Sequence, residues 1–186
     1  MGGKLLPALM MLVYLAGVAA GLQAPEWLVQ QVIEAAKELV ERIFTPNPLE
    51  LALRIFLNNA RVALIVAALS PSVVAPGILV FANGVVLGIA LTYAAARFGW
   101  SAALAAVLPH GVVEIPALLL AAAASTSLGI AIWRAALGRK REPWRKALSR
   151  FAKALALSLL LFAAAALIEA VVTPVAVSLM RRLSPL

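Results

Sequence analysis

The sequence has no cysteine and only one histidine, and charged residues make up 13% of its 186 positions. Without cysteine the protein can form no disulfide, no thiolate nucleophile and no cysteine metal site. The HExxH and G-x-S-x-G motifs, the P-loop and the dinucleotide-binding glycine pattern are missing as well. The sequence therefore predicts a protein that is not an enzyme, with no catalytic residues, no cofactor and no metal site.

Apolar residues are abundant where charged residues are scarce. Hydrophobic residues make up 64% of the chain, and the mean hydropathy is +1.01. Soluble domains contain about half apolar and about a quarter charged residues. A chain of this length cannot bury so much apolar surface in a core surrounded by water. The composition therefore predicts an integral membrane protein whose main partner is the lipid bilayer.

The formal net charge is +8, from 16 Lys and Arg against 8 Asp and Glu. Half of the positive charges lie in residues 134–153, between two apolar runs. Basic loops of this kind are typical of the cytoplasmic side of membrane proteins, where anionic headgroups attract them. The charge is thus explained without a nucleic-acid partner, and we expect none.

Five apolar runs are long enough to cross a bilayer, which takes about 20 helical residues. They cover residues 5–22, 49–69, 73–98, 112–133 and 154–179. We interpret the first run as a helix because it is longer than the apolar part of a signal peptide and only Lys4 precedes it. In the third run, Gly84 and Gly88 have the spacing that suits close helix packing. The prediction is an all-α polytopic membrane protein, with residues 1–186 as one transmembrane domain.

Residues 25–44 have a different pattern, with apolar side chains on one helical stripe and acidic or amide side chains on the other. The apolar stripe consists of Leu28, Val32, Ala35, Leu39 and Ile43. The sequence Thr45-Pro46-Asn47-Pro48 ends this segment. The pattern of residues 25–44 predicts an amphipathic helix that lies flat at the outer surface or packs on the other helices.

The stretch from Trp100 to Leu108 is apolar but about nine residues long, too short to cross a bilayer. Pro109-His110-Gly111 follows, and a Pro-X-Gly sequence suits a tight turn. These features predict a re-entrant half-helix over residues 100–110 that turns back into the fourth span. The alternative is one long helix kinked at the proline, which membrane helices tolerate.

Loop charges predict the orientation of the chain. The segment 23–50 carries five acidic and two basic residues, whereas 134–153 carries eight basic residues and one acid, Glu142. Since cytoplasmic loops are enriched in Lys and Arg, we expect a cytoplasmic N-terminus, an external segment 23–50 and a cytoplasmic loop 134–153.

Several polar residues lie inside the predicted spans, where charge is costly and usually partnered. His110 and Glu114 are four positions apart, so a continuous helix would place them on one face. Arg61 is the expected counter-charge for Glu114 or Glu169. The candidate site is thus a polar intramembrane cluster, which consists of Asn58, Asn59, Arg61, Asn83, His110, Glu114 and Glu169.

Three interpretations of this cluster remain open. It could be a structural cluster that ties irregular backbone to neighbouring helices. It could be a proton or ion path that uses His110, Glu114 and Glu169. A zinc hydrolase is the weakest hypothesis, because the chain has no second histidine.

Three segments resemble the stage II sporulation protein M family of membrane proteins. They are Asn58-Asn59-Ala60-Arg61, the segment 83–88 with its Asn-Gly pair, and the segment 108–117. The last is the most specific, with Pro109 and Gly111 at the turn, Glu114 three positions later and Pro116 after it.

The resemblance implies a function for the chain. In spore-forming bacteria, members of this family are similar to membrane scaffolds that recruit cell-wall hydrolases, and no enzymatic activity is implied. We therefore expect a scaffold or assembly factor of the cell membrane that forms a homo-oligomer, with a dimer favoured, and that contacts other membrane or envelope proteins. The alternative is a transporter or channel for ions or small solutes that uses the polar cluster.

Overall fold

The computed structural model describes the backbone of residues 5–139 and 144–183, and their side chains except those of 106–110, 144 and 172–183. The helices in these residues are α1 (Leu5–Leu22), α2 (Glu26–Ile43), α3 (Pro48–Ala68), α4 (Ala75–Phe98), α5 (Trp100–Ala136) and α6 (Trp144–Leu183). A 3₁₀ turn, Ser70–Ser72, joins α3 to α4. All of these helices except α2 contain a stretch long and apolar enough to cross a membrane. The predicted all-α polytopic fold with five spans is confirmed.

Helices α1 and α4 pack closely because both carry glycines at the contact. The contact contains four buried glycines, Gly17 and Gly21 in α1 and Gly84 and Gly88 in α4. A side-chain carbon added at Gly17 would collide with the backbone carbonyl of Phe81, and one at Gly21 with that of Val85. Gly17 faces Gly84 and Gly21 faces Gly88. Because residue numbers increase in the same direction along both helices, α1 and α4 run parallel.

The later helices alternate in direction. The Thr126 hydroxyl of α5 donates to the carbonyl of Val73, just before α4, over 3.2 Å. The Trp133 indole donates to the Pro71 carbonyl over 2.7 Å. Both contacts join the late part of α5 to the residues before α4, so α5 is antiparallel to α4.

One end of the bundle therefore carries the basic segment 134–153. It contains the first turns of α1, the 3₁₀ turn, the end of α5 and the start of α6. We call it the basic end; its described basic residues are Arg134, Arg139, Arg145, Lys146, Arg150 and Lys153. Helix α2 and the connection from α4 to α5 lie at the opposite end.

The predicted re-entrant half-helix is wrong, since the backbone is helical without a break from Trp100 to Ala136. A reversal inside the membrane would leave backbone N–H and C=O groups at the ends of two helices without hydrogen-bond partners. Each such group costs about 2–7 kcal/mol. A proline within a helix costs only about 3 kcal/mol. At 1.5 Å per residue, α5 is about 55 Å long and extends beyond the hydrocarbon layer. The short stretch before Pro109 is thus the outer part of a long helix.

The basic segment 134–153 is also not a loop throughout. Helix α5 continues to Ala136 and α6 begins at Trp144, so Arg145, Lys146, Arg150 and Lys153 lie on the first turns of α6. Lys and Arg are good helix formers, which allows the helices to extend past the membrane. Residues 140–143, which include Glu142, lie outside the described residues.

The amphipathic segment does form a helix, α2, and none of its residues is buried. Its last residue, Ile43, packs on a small apolar cluster between α3 and α6. Around Ile33 and Val40 it forms a shallow groove together with Tyr93 near the end of α4. At the start of α3, the Asn47 side chain accepts hydrogen bonds from the Leu49 and Glu50 amides. The helix thus lies across the end of the bundle that is opposite the basic end.

Candidate functional site

A cavity of about 420 Å³ lies among the membrane-spanning helices. It is bordered mainly by α3, α4 and α5, with single residues from α1 and α6. Four polar side chains line it: Tyr14, Asn59, Asn83 and Glu114. The remaining lining is apolar or glycine and consists of Val62, Val86, Leu87, Ala90, Ala94, Ala103, Gly111, Ile115, Leu118 and Phe162. The cavity thus presents a few polar groups on an apolar wall, as binding sites for small molecules do.

Glu114 is the charged residue of the cavity lining. The buried Asn59 side chain is close enough to interact with its carboxyl group. The Asn58 amide in turn donates to Asn59 Oδ1 over 3.5 Å, a long contact. Tyr14 and Glu169 are both close enough to interact electrostatically with Glu114. Among the described lining residues there is no Lys or Arg, so this part of the lining suits hydrogen bonds or positive charge better than an anion.

Asn83 and Gly111 shape two sides of the cavity. Asn83 donates to the carbonyl of Leu79 one turn earlier, over 2.9 Å, so part of its amide is used within α4. Gly111 is buried and lines the cavity from α5. Because glycine has no side chain, it adds only backbone atoms to the cavity wall.

The structure separates the predicted cluster into two groups. Asn59, Asn83 and Glu114 meet at the cavity, Glu169 lies near it, and the half-buried Asn58 lies next to Asn59. Arg61 does not join them: it is exposed, and it makes no ion pair within the part of the chain that the structure describes. The expected pairing of Arg61 with Glu114 or Glu169 is therefore wrong. Successive residues of a helix differ by about 100°, so Arg61 is about 200° from Asn59 and faces away from the bundle.

Two other predicted site residues, Pro109 and His110, have side chains that lie outside the described ones. Pro116 is exposed on α5. No three His, Asp or Glu side chains come together as a metal site over the described residues.

Tyr14 is the site residue that the sequence did not indicate. It lies in the middle of the first apolar run and is 6% exposed. A tyrosine in such a run is usually read as part of the apolar surface, because most of its side chain is a ring. Only the packing of α1 on α4 brings its hydroxyl to the cavity.

Toward the basic end the cavity is closed by a packed apolar layer. Ala63, Val66, Val80, Ala117 and Ala121 are each 0% exposed, and they belong to one hydrophobic cluster. Ala63, Val66, Val80 and Ala121 lie further toward the basic end than the cavity residues of their own helices. Ala117 lies next to Leu118, at the edge of the cavity. The polar cavity therefore does not continue through the bundle on that side.

These features define a class of protein, a polytopic α-helical membrane protein with a polar cavity inside its bundle. The family model described as stage II sporulation protein M matches residues 7–174. The chain belongs to this family, as its motifs predicted. Searches of the curated proteins and of the solved structures found no significant match.

Proposed function

We propose that the protein is a non-enzymatic scaffold or assembly factor of the cell membrane. In this proposal it binds the membrane helix of a partner protein through the outer face of α3. The observation that carries the proposal is the position of Arg61, a charged side chain that faces away from its own bundle.

An arginine on the lipid-facing side of a span is costly, about 2.5–3.5 kcal/mol at the centre of a helix on insertion scales. Such residues are rare, and they usually mark a binding or transport function. Arg61 is surrounded on the outer face of α3 by the exposed residues Leu57, Leu64 and Ile65. A carboxylate on a neighbouring membrane helix would neutralise it while apolar side chains pack around the pair. An acidic transmembrane helix is therefore the partner we propose.

This face does not suit a symmetric dimer of the chain. A two-fold axis normal to the membrane and centred on this part of α3 would bring the two Arg61 side chains together, and like charges repel. The partner on this face is thus a different protein. The expected homo-oligomer stays a prediction, and it would need another surface.

The packed apolar layer between the cavity and the basic end favours a scaffold function over a transport function. A channel needs a hydrated path to both sides of the membrane. Here the residues between the cavity and the basic end are fully packed, with Val66, Val80 and Ala121 at 0% exposure. The cavity therefore serves better as a binding site than as a conduction path.

We expect Arg61→Gln to separate the protein from its partner without unfolding it. The substitution removes the charge, and because Arg61 is exposed the stability of the isolated chain should change by less than about 0.5 kcal/mol. The measurement is the size of the complex extracted in mild detergent from the native membrane, compared on native gels, with thermal unfolding of the purified chain alongside.

Arg54→Gln is the matched control, since Arg54 also lies on α3 but pairs with Glu50 over 2.6 Å. It should leave the complex intact, and Arg61→Lys should retain part of it. A complex of unchanged size in Arg61→Gln, or a wild-type protein that runs as a single chain, would show that Arg61 only reaches toward lipid headgroups.

The proposed orientation places the basic end in the cytoplasm. Ser149 lies at the basic end and Gln31 lies on α2, and both are exposed. Because the chain has no cysteine, single cysteines at these positions report the orientation without background. An impermeant thiol reagent added to intact cells should label Gln31→Cys and not Ser149→Cys. Labelling of only Ser149→Cys would show that the orientation is the opposite of the proposed one.

A further inference from the structure

A second groove, of about 210 Å³, lies at the basic end. Leu6 and Pro7 of α1 form one wall, and Arg150 and Phe151 of α6 form the other. Helices α1 and α6 do not pack against each other over their described residues. The groove is thus the gap between these two helices, with α5 as its floor.

The floor of the groove is made of small side chains. Ala123, Ala124 and Ser127 of α5 line it, and Leu120 lies further from the basic end. Small residues leave a channel along α5 between the larger side chains of Leu6 and Phe151. A hydrocarbon chain that lies there would be covered on three sides by apolar atoms.

The hydroxyl group of Ser127 differs from those of its neighbours. Ser125 donates to Ala121 over 2.8 Å, and the Thr126 hydroxyl also donates to a backbone carbonyl. On α6, Ser158 donates to Ala117 over 2.7 Å. The Ser127 hydroxyl faces the groove and has no hydrogen bond with the described residues. A donor is therefore available inside the groove.

The described charged residues around the groove are basic. Arg150 lines it, and Lys146 and Lys153 lie within one turn of Arg150 on α6. The segments that form the basic end, 5–10, 64–78, 120–139 and 145–156, contain no Asp or Glu. An anionic group at the mouth of the groove would meet several cations and a hydroxyl donor. Glu142, the acid of the segment 134–153, lies outside the described residues.

We propose that this groove binds one anionic phospholipid of the leaflet at the basic end. One acyl chain lies along α5 between Leu6 and Phe151, and the phosphate is held by Arg150 and the Ser127 hydroxyl. Basic pockets between transmembrane helices bind anionic lipid headgroups by this combination of charge and shape. The inference is independent of the partner proposed for Arg61, since the two surfaces lie on different helices.

The test uses the full chain, purified in detergent and stripped of lipid. Dioleoyl-phosphatidylglycerol should raise the melting temperature in a saturable way, as a ligand of the folded state does, with one lipid retained per chain in native mass spectra. Dioleoyl-phosphatidylcholine and inorganic phosphate should have little effect. An equal shift from either of them would overturn the proposal, because the site would then need no anionic headgroup or no acyl chain.

Three variants separate the groove from general attraction to a basic surface. Arg150→Gln should weaken phosphatidylglycerol binding about tenfold or more, since it removes a charge-assisted hydrogen bond. Lys153→Gln removes the same charge outside the groove lining and should have an effect several times smaller. Ala124→Phe keeps every charge but fills the groove, and it should also abolish the bound lipid.

The proposal fails if Arg150→Gln and Lys153→Gln weaken binding equally, or if Ala124→Phe binds like the wild type. The unfolding of each variant without lipid shows whether it is folded. If Ala124→Phe is unfolded, the comparison of Arg150→Gln with Lys153→Gln decides alone.

Discussion

Replacing Gly84 by leucine should prevent α1 from packing on α4, so that little folded protein is recovered. A side-chain carbon at this position meets the backbone carbonyl of Tyr14 and lies 3.1 Å from the Cα atom of Gly17. Overpacking costs about 1–3 kcal/mol where side chains can move, and occasionally more. Here the obstacle is the backbone of a continuous helix, which cannot rotate away, so we expect a loss above about 3 kcal/mol.

Gly77→Leu is the control for this experiment. Gly77 is in the same helix, and no atom lies within 4 Å of an added side-chain carbon. The yield of folded protein and the unfolding curve in a graded denaturing detergent should remain close to the wild type. If Gly84→Leu behaved like Gly77→Leu, the close contact between α1 and α4 would be wrong.

The second large effect is expected at Asn59. Asn59→Leu removes the polar side chain that interacts with Glu114 and leaves this carboxyl group without that partner inside the bundle. Loss of one partner of a buried polar pair costs about 1–3 kcal/mol. The neighbouring Asn58→Leu should cost much less, because Asn58 is half-exposed and its contact with Asn59 is long, at 3.5 Å.

A double variant tests whether the two residues act as a pair. Replacing both partners by apolar groups of similar shape is often nearly neutral. The variant with Asn59→Leu and Glu114→Leu should therefore recover much of the stability that Asn59→Leu loses, measured by the same unfolding curves. If the two losses were simply additive, Asn59 and Glu114 would not stabilise each other.

The sequence predicted much of the fold, because its strongest signals are local. Runs of apolar residues of the right length predict spans wherever they occur, since the hydrocarbon layer forces the backbone to satisfy its own hydrogen bonds. The helical periodicity of apolar and polar residues in α2 is equally clear. The prediction for residues 100–110 is wrong because this stretch is too short to span a bilayer by itself but continues as the same helix into the following residues.

The candidate site was predicted only in part. Asn59, Asn83 and Glu114 were recognised because polar residues in a span are uncommon, and the structure places all three at one cavity. Arg61 was assigned to the same cluster because opposite charges suggest a pair. Its position two residues after Asn59 already places it on the other side of α3, as the helical period requires.

By itself the sequence determined the membrane class, the number of spans, the amphipathic helix and the family. These follow from composition, periodicity and short motifs, which depend only on neighbouring residues. The tertiary structure alone decided that Tyr14 reaches the cavity and that a groove lined by Ser127 opens between α1 and α6. Each of these depends on which helix faces which, and that is set by close packing at Gly17, Gly21, Gly84 and Gly88 among helices far apart in the chain.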